Sequence, residues 1–320
     1  MAITLDGLDV TSKLPTDWAD TMLRQAFQNS VVGQLSAAEP IPTNGKIIPI
    51  YEGGFEVGYT KELGRKPVSD VKVSTKAITP HKFAGIIVVS KEAARANPGR
   101  LLDIMQADMR NAVQRQLDLA ILFGISATGG AAIPDTTCIN QTTNAVELDT
   151  SKDLVPQFLA GYDLVASGDG EYDPNGYAFD SRMRTRVALA SQQLLTVPGA
   201  STPMPNLAVT TGTLGGLPVA YGRTVGRRAS GDPKGNGVVG FVGDWSKLRW
   251  GYSSNLELTR SDQASIVDAK GQTINTFQDN AIAYRVEFEA GWYVDPSAFA
   301  TFTNTTDSPS SEPAEDEGDQ

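Results

Sequence analysis

Apolar side chains recur every three or four residues from Leu101 onward: Leu102, Met105, Met109, Val113, Leu117 and Ile121 continue the series. That spacing lines one face of an α-helix, and it leaves Asp103, Asp108, Arg110, Arg115 and Asp118 for the polar side. Gly124 predicts the stop. A shorter helix precedes it, with Ser90 as N-cap, Glu92 in the first turn, and Asn97, Pro98 and Gly99 as the break between the two. Elsewhere the period changes to two. In NAIAYRVEFEAGWYV, Ala281, Ala283, Arg285, Glu287 and Glu289 alternate with Ile282, Tyr284, Val286 and Phe288, the mark of a strand.

Residues 47–89 predict a long β-hairpin. Its limbs are KIIPIYEGGFEVGYT and VKVSTKAITPHKFAGIIVVS, joined by the polar turn KELGRKPVSD, with Gly53 and Gly54 near the base as a hinge or a bulge. Two strands alone are marginal in water, so this hairpin is expected to lie on a neighbouring subunit. Residues 1–46 predict an arm with a short amphipathic segment, Trp18 to Val32, ended by Pro40 and Pro42; it too is expected to lie across another surface. After a Gly/Thr-rich loop at 126–150, helices at Leu154–Val165 and SRMRTRVALA alternate with strands GYAFD, LPVAYG and GVVGFVGD. These predict a compact α/β module over 151–250. Residues 251–302 return to strand character, and 303–320 have no apolar content to bury.

Charge changes this picture at one end. The chain has 320 residues with 27 Lys+Arg against 37 Asp+Glu, a net charge of -10 and a pI near 4.7. Asp307, Glu312, Glu315, Asp316, Glu317 and Asp319 all fall in the last eighteen residues, which hold no base. Residues 1–302 keep 31 acids and 27 bases, a net of −4. A body without excess positive charge lacks the footprint of a sequence-reading nucleic-acid binder. The three arginines Arg182, Arg184 and Arg186 alternate on a predicted helix and read as a solvated or subunit-facing surface.

Candidate chemistry is sparse. One cysteine, Cys138, and one histidine, His81, leave no disulfide framework and no multi-cysteine or HExxH metal site, and no cofactor is expected. Nothing pairs Cys138 with His81 in sequence as a nucleophilic dyad. GVVGFVG lacks the spacing of a dinucleotide fingerprint, and no Walker phosphate loop is present. DGEYDPNGY from Asp169 has alternating acids but Pro174 where a calcium loop needs glycine, so it reads as a turn. The start MAITLDGLDV is no signal peptide, and the apolar run Phe83–Val89 is too short to cross a bilayer.

Order and text together resemble the major capsid protein of tailed bacteriophages with the Hong Kong 97-type fold. GRKPVSDVKVSTKAITPHKFAGIIVVSKEAARANPGRLLDIMQADMRNAVQRQLDLAILFG is similar to that family's extended loop running into its spine helix. GYAFDSRMRTRVA and GLPVAYG resemble elements of its axial domain, and NAIAYRVEFEAGWYVDPSAFATF its closing peripheral-domain strands. The resemblance implies an α+β fold divided into an N-terminal arm (1–46), extended loop (47–89), peripheral domain with spine helix (90–150), axial domain (151–250), closing peripheral strands (251–302) and acidic tail (303–320). It implies a non-enzymatic protein that assembles as pentamers and hexamers into an icosahedral shell around double-stranded DNA. The shell would be made in the host cytoplasm, with a separate scaffolding protein, a portal and a decoration protein as further partners. An encapsulin-type nanocompartment shares the fold and is the nearest alternative; a soluble α/β enzyme is the next. Some relatives join subunits by a lysine–asparagine isopeptide bond assisted by a glutamate. Lys66, Asn280 and Glu287 match those positions here.

Overall fold

The computed structural model describes residues 25–51, 57–61, 65, 66, 68, 69, 73–96, 101–149, 151–168, 170, 172–192, 194, 195, 204, 205, 212–227, 237–253, 257–268 and 271–304. Trp18 and Met22, the Gly53–Gly54 hinge, the Asn97–Gly99 break and residues 305–320 lie outside them.

A helical stretch at 25–29 leads into α1 (Val31–Leu35) and the short β1 (Glu39–Pro40). β2 (Lys46–Tyr51) pairs antiparallel with β3 (Val73–Ile78), from Lys46↔Ile78 to Tyr51↔Val73. The predicted second limb ends there. Thr79 and Pro80 interrupt it, and β4 (His81–Ser90) leaves the hairpin to join another sheet. Proline lacks the N–H that a continuing ladder needs, which explains the switch. α2 (Lys91–Ala96) follows, with the Ser90 hydroxyl accepting from the Ala93 N–H at 3.1 Å as an N-cap. α3 (Leu101–Phe123) is the long helix, closed by Gly124 at φ 66, a left-handed turn that glycine adopts freely.

Beyond it come β5 (Ala145–Glu147), α4 (Leu154–Ala166), β6 (Gly176–Phe179), α5 (Met183–Gln192) and the two-residue pair β7 (Leu194–Leu195) and β8 (Met204–Pro205). The chain continues through β9 (Thr213–Leu214), β10 (Leu217–Tyr221), β11 (Val238–Gly243) and β12 (Arg249–Tyr252). It ends with β13 (Glu257–Ser261), the small hairpin β14 (Ser265–Val267) and β15 (Thr273–Asn275), β16 (Ala281–Tyr293) and β17 (Phe299–Thr303).

Two sheets organise the molecule. In the first, β16 pairs with β4 over ten residues and with β13 and β12, and β1 adds beside β12. The second is mixed, in the order β5-β17-β11-β6-β10-β9. β6 and β11 are buried along their whole length, as their unbroken apolar runs require when both faces are covered. The larger core joins Val113, Leu117 and Ile121 of α3 to Phe288 and Trp292 of the first sheet and Phe241 of the second. A second core packs α4 on the second sheet through Phe158, Phe179 and Phe302. Contact is close enough that a Cβ at Gly161 would stand 2.5 Å from the Phe302 ring. Ile41, Ile48 and Ile78 form a small third cluster at the root of the β2–β3 hairpin, against Tyr293.

Candidate assembly surfaces

Among the described residues the β2–β3 hairpin is held at its root. Glu39 there accepts from Lys46 at 2.9 Å and Arg249 at 2.6 Å. The Arg249 guanidinium, and then the Lys46 ammonium, hold the Glu39 carboxyl below its usual value. Apolar side chains face outward both on the strands, where Ile47 is 73% and Val73 59% exposed, and in the segment that joins them, where Tyr59 is 92% and Val68 98% exposed. Isolated exposed apolar residues are ordinary, but a series of them on a two-stranded element with no core of its own marks a surface waiting for a partner.

Residues 25–35 are helical and pack on their own subunit. Phe27 sits between Trp250, Tyr252 and Phe288 at centroid distances of 5.9, 4.4 and 6.2 Å, and Ala26, Val31 and Val32 are buried beside it. These apolar side chains supply the burial that the composition of the arm as a whole conceals.

Asp118 fixes that packing, and sequence periodicity misplaced it on the solvent face. It is wholly buried. Its carboxylate accepts from the N–H groups of Val31 at 3.4 Å and Val32 at 3.3 Å and from the Thr224 hydroxyl at 3.0 Å. The arm, the long helix and the turn after β10 therefore meet on one side chain. Burial raises its pKa from 3.8 to about 6, against the opposing pull of those hydrogen bonds. The signal was present: Leu117 and Leu119–Leu122 are apolar on every side, so α3 is enclosed at that end.

Two of the three candidate cross-link residues, Asn280 and Glu287, stand apart within one subunit. Lys66 is exposed on the hairpin. Asn280 occupies a left-handed turn at φ 49 just before β16, and its carbonyl accepts from the Lys91 N–H at 2.8 Å. Glu287 lies seven residues along the same strand, about 23 Å away at 3.3 Å per residue. It is paired with Lys82 at 2.9 Å and Arg285 at 3.5 Å, and the Lys82 hydrogen bond chiefly holds its carboxyl below the ordinary range.

Cys138 and His81 have the wrong electrostatics for a dyad. Burial pushes the Cys138 thiol up and the His81 imidazole down, so both favour the neutral form. His81 instead packs against Trp292 at 5.5 Å. In the DGEYDPNGY turn, Tyr172 donates to Asp295 at 2.7 Å and Asp173 accepts from Tyr162 at 3.4 Å. No helix among the described residues is long and apolar enough to cross a membrane.

Comparison with known proteins bears on these surfaces. Residues 13–304 match the model of the phage capsid family. The chain is 29% identical to the probable major capsid protein gp17 of Mycobacterium phage L5, over 91% of this chain and 89% of that protein. A solved structure from Gordonia phage Cozz superposes with a TM-score of 0.69 at 28% identity, covering 86% of each chain. One from Mycobacterium phage Ogopogo gives 0.65 at 25% identity, over 86% of this chain and 92% of that one.

Proposed function

Because this chain belongs to the phage capsid family and is a major capsid protein, we propose that its copies close as pentamers and hexamers into an icosahedral head around double-stranded DNA. The protein is a structural component of the virion shell, with the α+β fold of the Hong Kong 97 type, and it is not an enzyme. The observation that carries the assembly reading is the outward apolar series on the β2–β3 hairpin and the segment that joins its strands, which no described element of the same chain buries. A nearly balanced body suits a lining that encloses DNA without gripping it. Negative-stain microscopy of the purified full-length chain tests this. Closed particles are expected; a monomer or small oligomer at high concentration refutes it. Particles that carry protein cargo and no nucleic acid would favour the nanocompartment instead.

Subunits are joined covalently in this proposal. The neutral Lys66 Nζ of one copy attacks the Asn280 side-chain carbonyl carbon of a second copy. The C–N bond of the amide breaks, ammonia leaves, and an isopeptide bond remains. A carboxylate relays the proton from the attacking amine to the leaving ammonia. The separation along β16 means that Glu287 performs this relay from a copy other than the one that supplies Asn280, after Lys82 moves aside. Boiling the shells in SDS separates the outcomes: a ladder of multimers that K66R and N280D each abolish is expected, and a single monomer band refutes the bond.

A further inference from the structure

β4 has an open edge. One side of it pairs with β16 over its full length, from His81↔Ala290 to Ser90↔Ala281, with no shift in register. No strand among the described residues pairs with its other side. The register fixes which main-chain groups that leaves. In an antiparallel ladder, alternate residues exchange hydrogen bonds with the partner strand and the residues between them point away. The Lys91 N–H donates to the Asn280 carbonyl at 2.8 Å, one step past Ser90↔Ala281. Odd-numbered residues of β4 therefore bond to even-numbered residues of β16. The opposite side of β16 agrees, because there the Ser253 N–H donates to the Glu289 carbonyl at 3.0 Å. Lys82, Ala84, Ile86 and Val88 consequently direct their N–H and C=O groups away from the sheet.

Proteins ordinarily shield such an edge with short strands, bulges, prolines or charges. β4 runs for ten residues and has none of these between Phe83 and Val89. Its one charged side chain, Lys82, is already paired with Glu287 at 2.9 Å. Lys82, Ala84 and Gly85 are exposed, and Ile86 is 50% exposed.

This edge is complementary to itself. Turned about a two-fold axis at Gly85, a second β4 sets Ala84 opposite Ile86, small against large, and Lys82 opposite Val88. Each outward N–H then meets a carbonyl, about eight hydrogen bonds in all. The ladder stops at both ends where the next pair would be Pro80 with Ser90, because proline has no N–H. The two Lys82 charges stay at opposite ends, about 20 Å apart. Other described edges match β4 poorly: β13 is half as long, β2 has Pro49 in its ladder, and β3 is short and carries Ser74, Thr75 and Lys76.

We propose that β4 pairs antiparallel with β4 of a second copy across a two-fold axis at Gly85, joining the first sheets of two subunits into one. This rests on the reading of the chain as a shell subunit. A two-fold contact is isologous, so it links subunits in pairs and leaves ring closure to other surfaces.

Full-length proline variants test the pairing. Ile86→Pro removes an outward N–H and no bond to β16, so the subunit should melt as the unaltered chain does yet form no closed particles by negative-stain microscopy. Ile87→Pro removes a bond to β16 and should lower the melting temperature instead. Particles from the Ile86→Pro chain in normal yield overturn the proposal. A second variant does not depend on tolerance of proline. Position 85 faces itself in this register as a non-hydrogen-bonded pair, with Cα atoms about 4.5 Å apart, within disulfide reach. A Cβ at Gly85 meets nothing within 4 Å, and the native Cys138 is buried. After oxidation with copper phenanthroline, non-reduced peptide mapping of Gly85→Cys particles should show a disulfide between the two copies of position 85. Ala84→Cys, whose two copies fall in different rows of the ladder, should show none. No disulfide in the first variant, or equal amounts in both, overturns the proposal. Should the unaltered chain form no particles, the assembly reading falls, and the same mapping on concentrated Gly85→Cys subunits decides the pairing independently.

Discussion

Changing Asp118 to asparagine should stabilise the subunit at mildly alkaline pH and destabilise it in acid. The carboxyl has a folded pKa of about 6 against 3.8 in the unfolded chain. The native state therefore binds the proton more tightly, and stability falls as pH rises through this window. The full span is worth about 3 kcal/mol, at 1.36 kcal/mol per pKa unit, and roughly half of it lies between about pH 5 and pH 8. Its cause is burial, and the remaining causes are hydrogen bonds from Val32, Thr224, Val31 and Ser30, with no neighbouring charge among them. Asparagine keeps one accepting oxygen and cannot ionise. Its amide faces one of the two backbone N–H groups now bonded at 3.3 and 3.4 Å, which costs about 1 kcal/mol. The balance is a gain of about 2 kcal/mol near pH 8 and a loss of about 0.5 kcal/mol near pH 4. Urea unfolding of the unassembled chain, followed by the buried Trp245 and Trp250 at fixed protein concentration, measures this directly. An identical pH slope for both proteins between pH 5 and pH 8, or a D118N chain weaker than the parent at pH 8, would refute the reasoning.

Three other outcomes follow from the packing. Gly161→Ala drives a methyl into the Phe302 ring, which is itself held by Phe158 and Phe179 at centroid distances of 5.7 Å each, so thermal unfolding should report a loss of about 1–3 kcal/mol. Ending the chain after Asn304 should leave particle assembly intact by microscopy, whereas ending it after Phe302 removes the paired Thr303 and the Asn304–Gly237 hydrogen bond and should lower the melting temperature. Tyr59→Asp with Val68→Asp should leave subunit melting unchanged and abolish particles in size-exclusion chromatography, because both side chains are exposed until a second copy arrives.

Strands and helices with a clean period were legible because each has one face against a core: the alternation at 281–289 became β16, and the three-four series became α3. Misreadings came where tertiary contact overrides local pattern. Asp118 fits a polar stripe on a helical wheel, yet the arm covers that stripe, and only the packed arm can reveal it. His81–Ser90 continues the β pattern of the hairpin, and its transfer to β16 depends on a partner almost two hundred residues away. Thr303 and Asn304 look like the start of a polar tail because the end of the five-residue β17 carries little sequence signal. The candidate cross-link residues were identified by family text alone, and β16 separates Glu287 from Asn280 within one subunit.

A subunit of this kind has to be stable before assembly and unfinished until it. The cores answer the first need: α3 is enclosed by both sheets, and the arm is fastened over it by Phe27 and Asp118. The hairpin answers the second. Its root buries Ile41, Ile48 and Ile78 with a Glu39 ion-pair cluster, and beyond that root no described element of its own chain shields Tyr59 or Val68. Burial of three isoleucines stabilises by about 5–9 kcal/mol before conformational entropy is subtracted, enough to hold the base and far less than either main core provides. Such an element belongs to the low-stability end of the molecule and can change its angle to the body without disturbing α3.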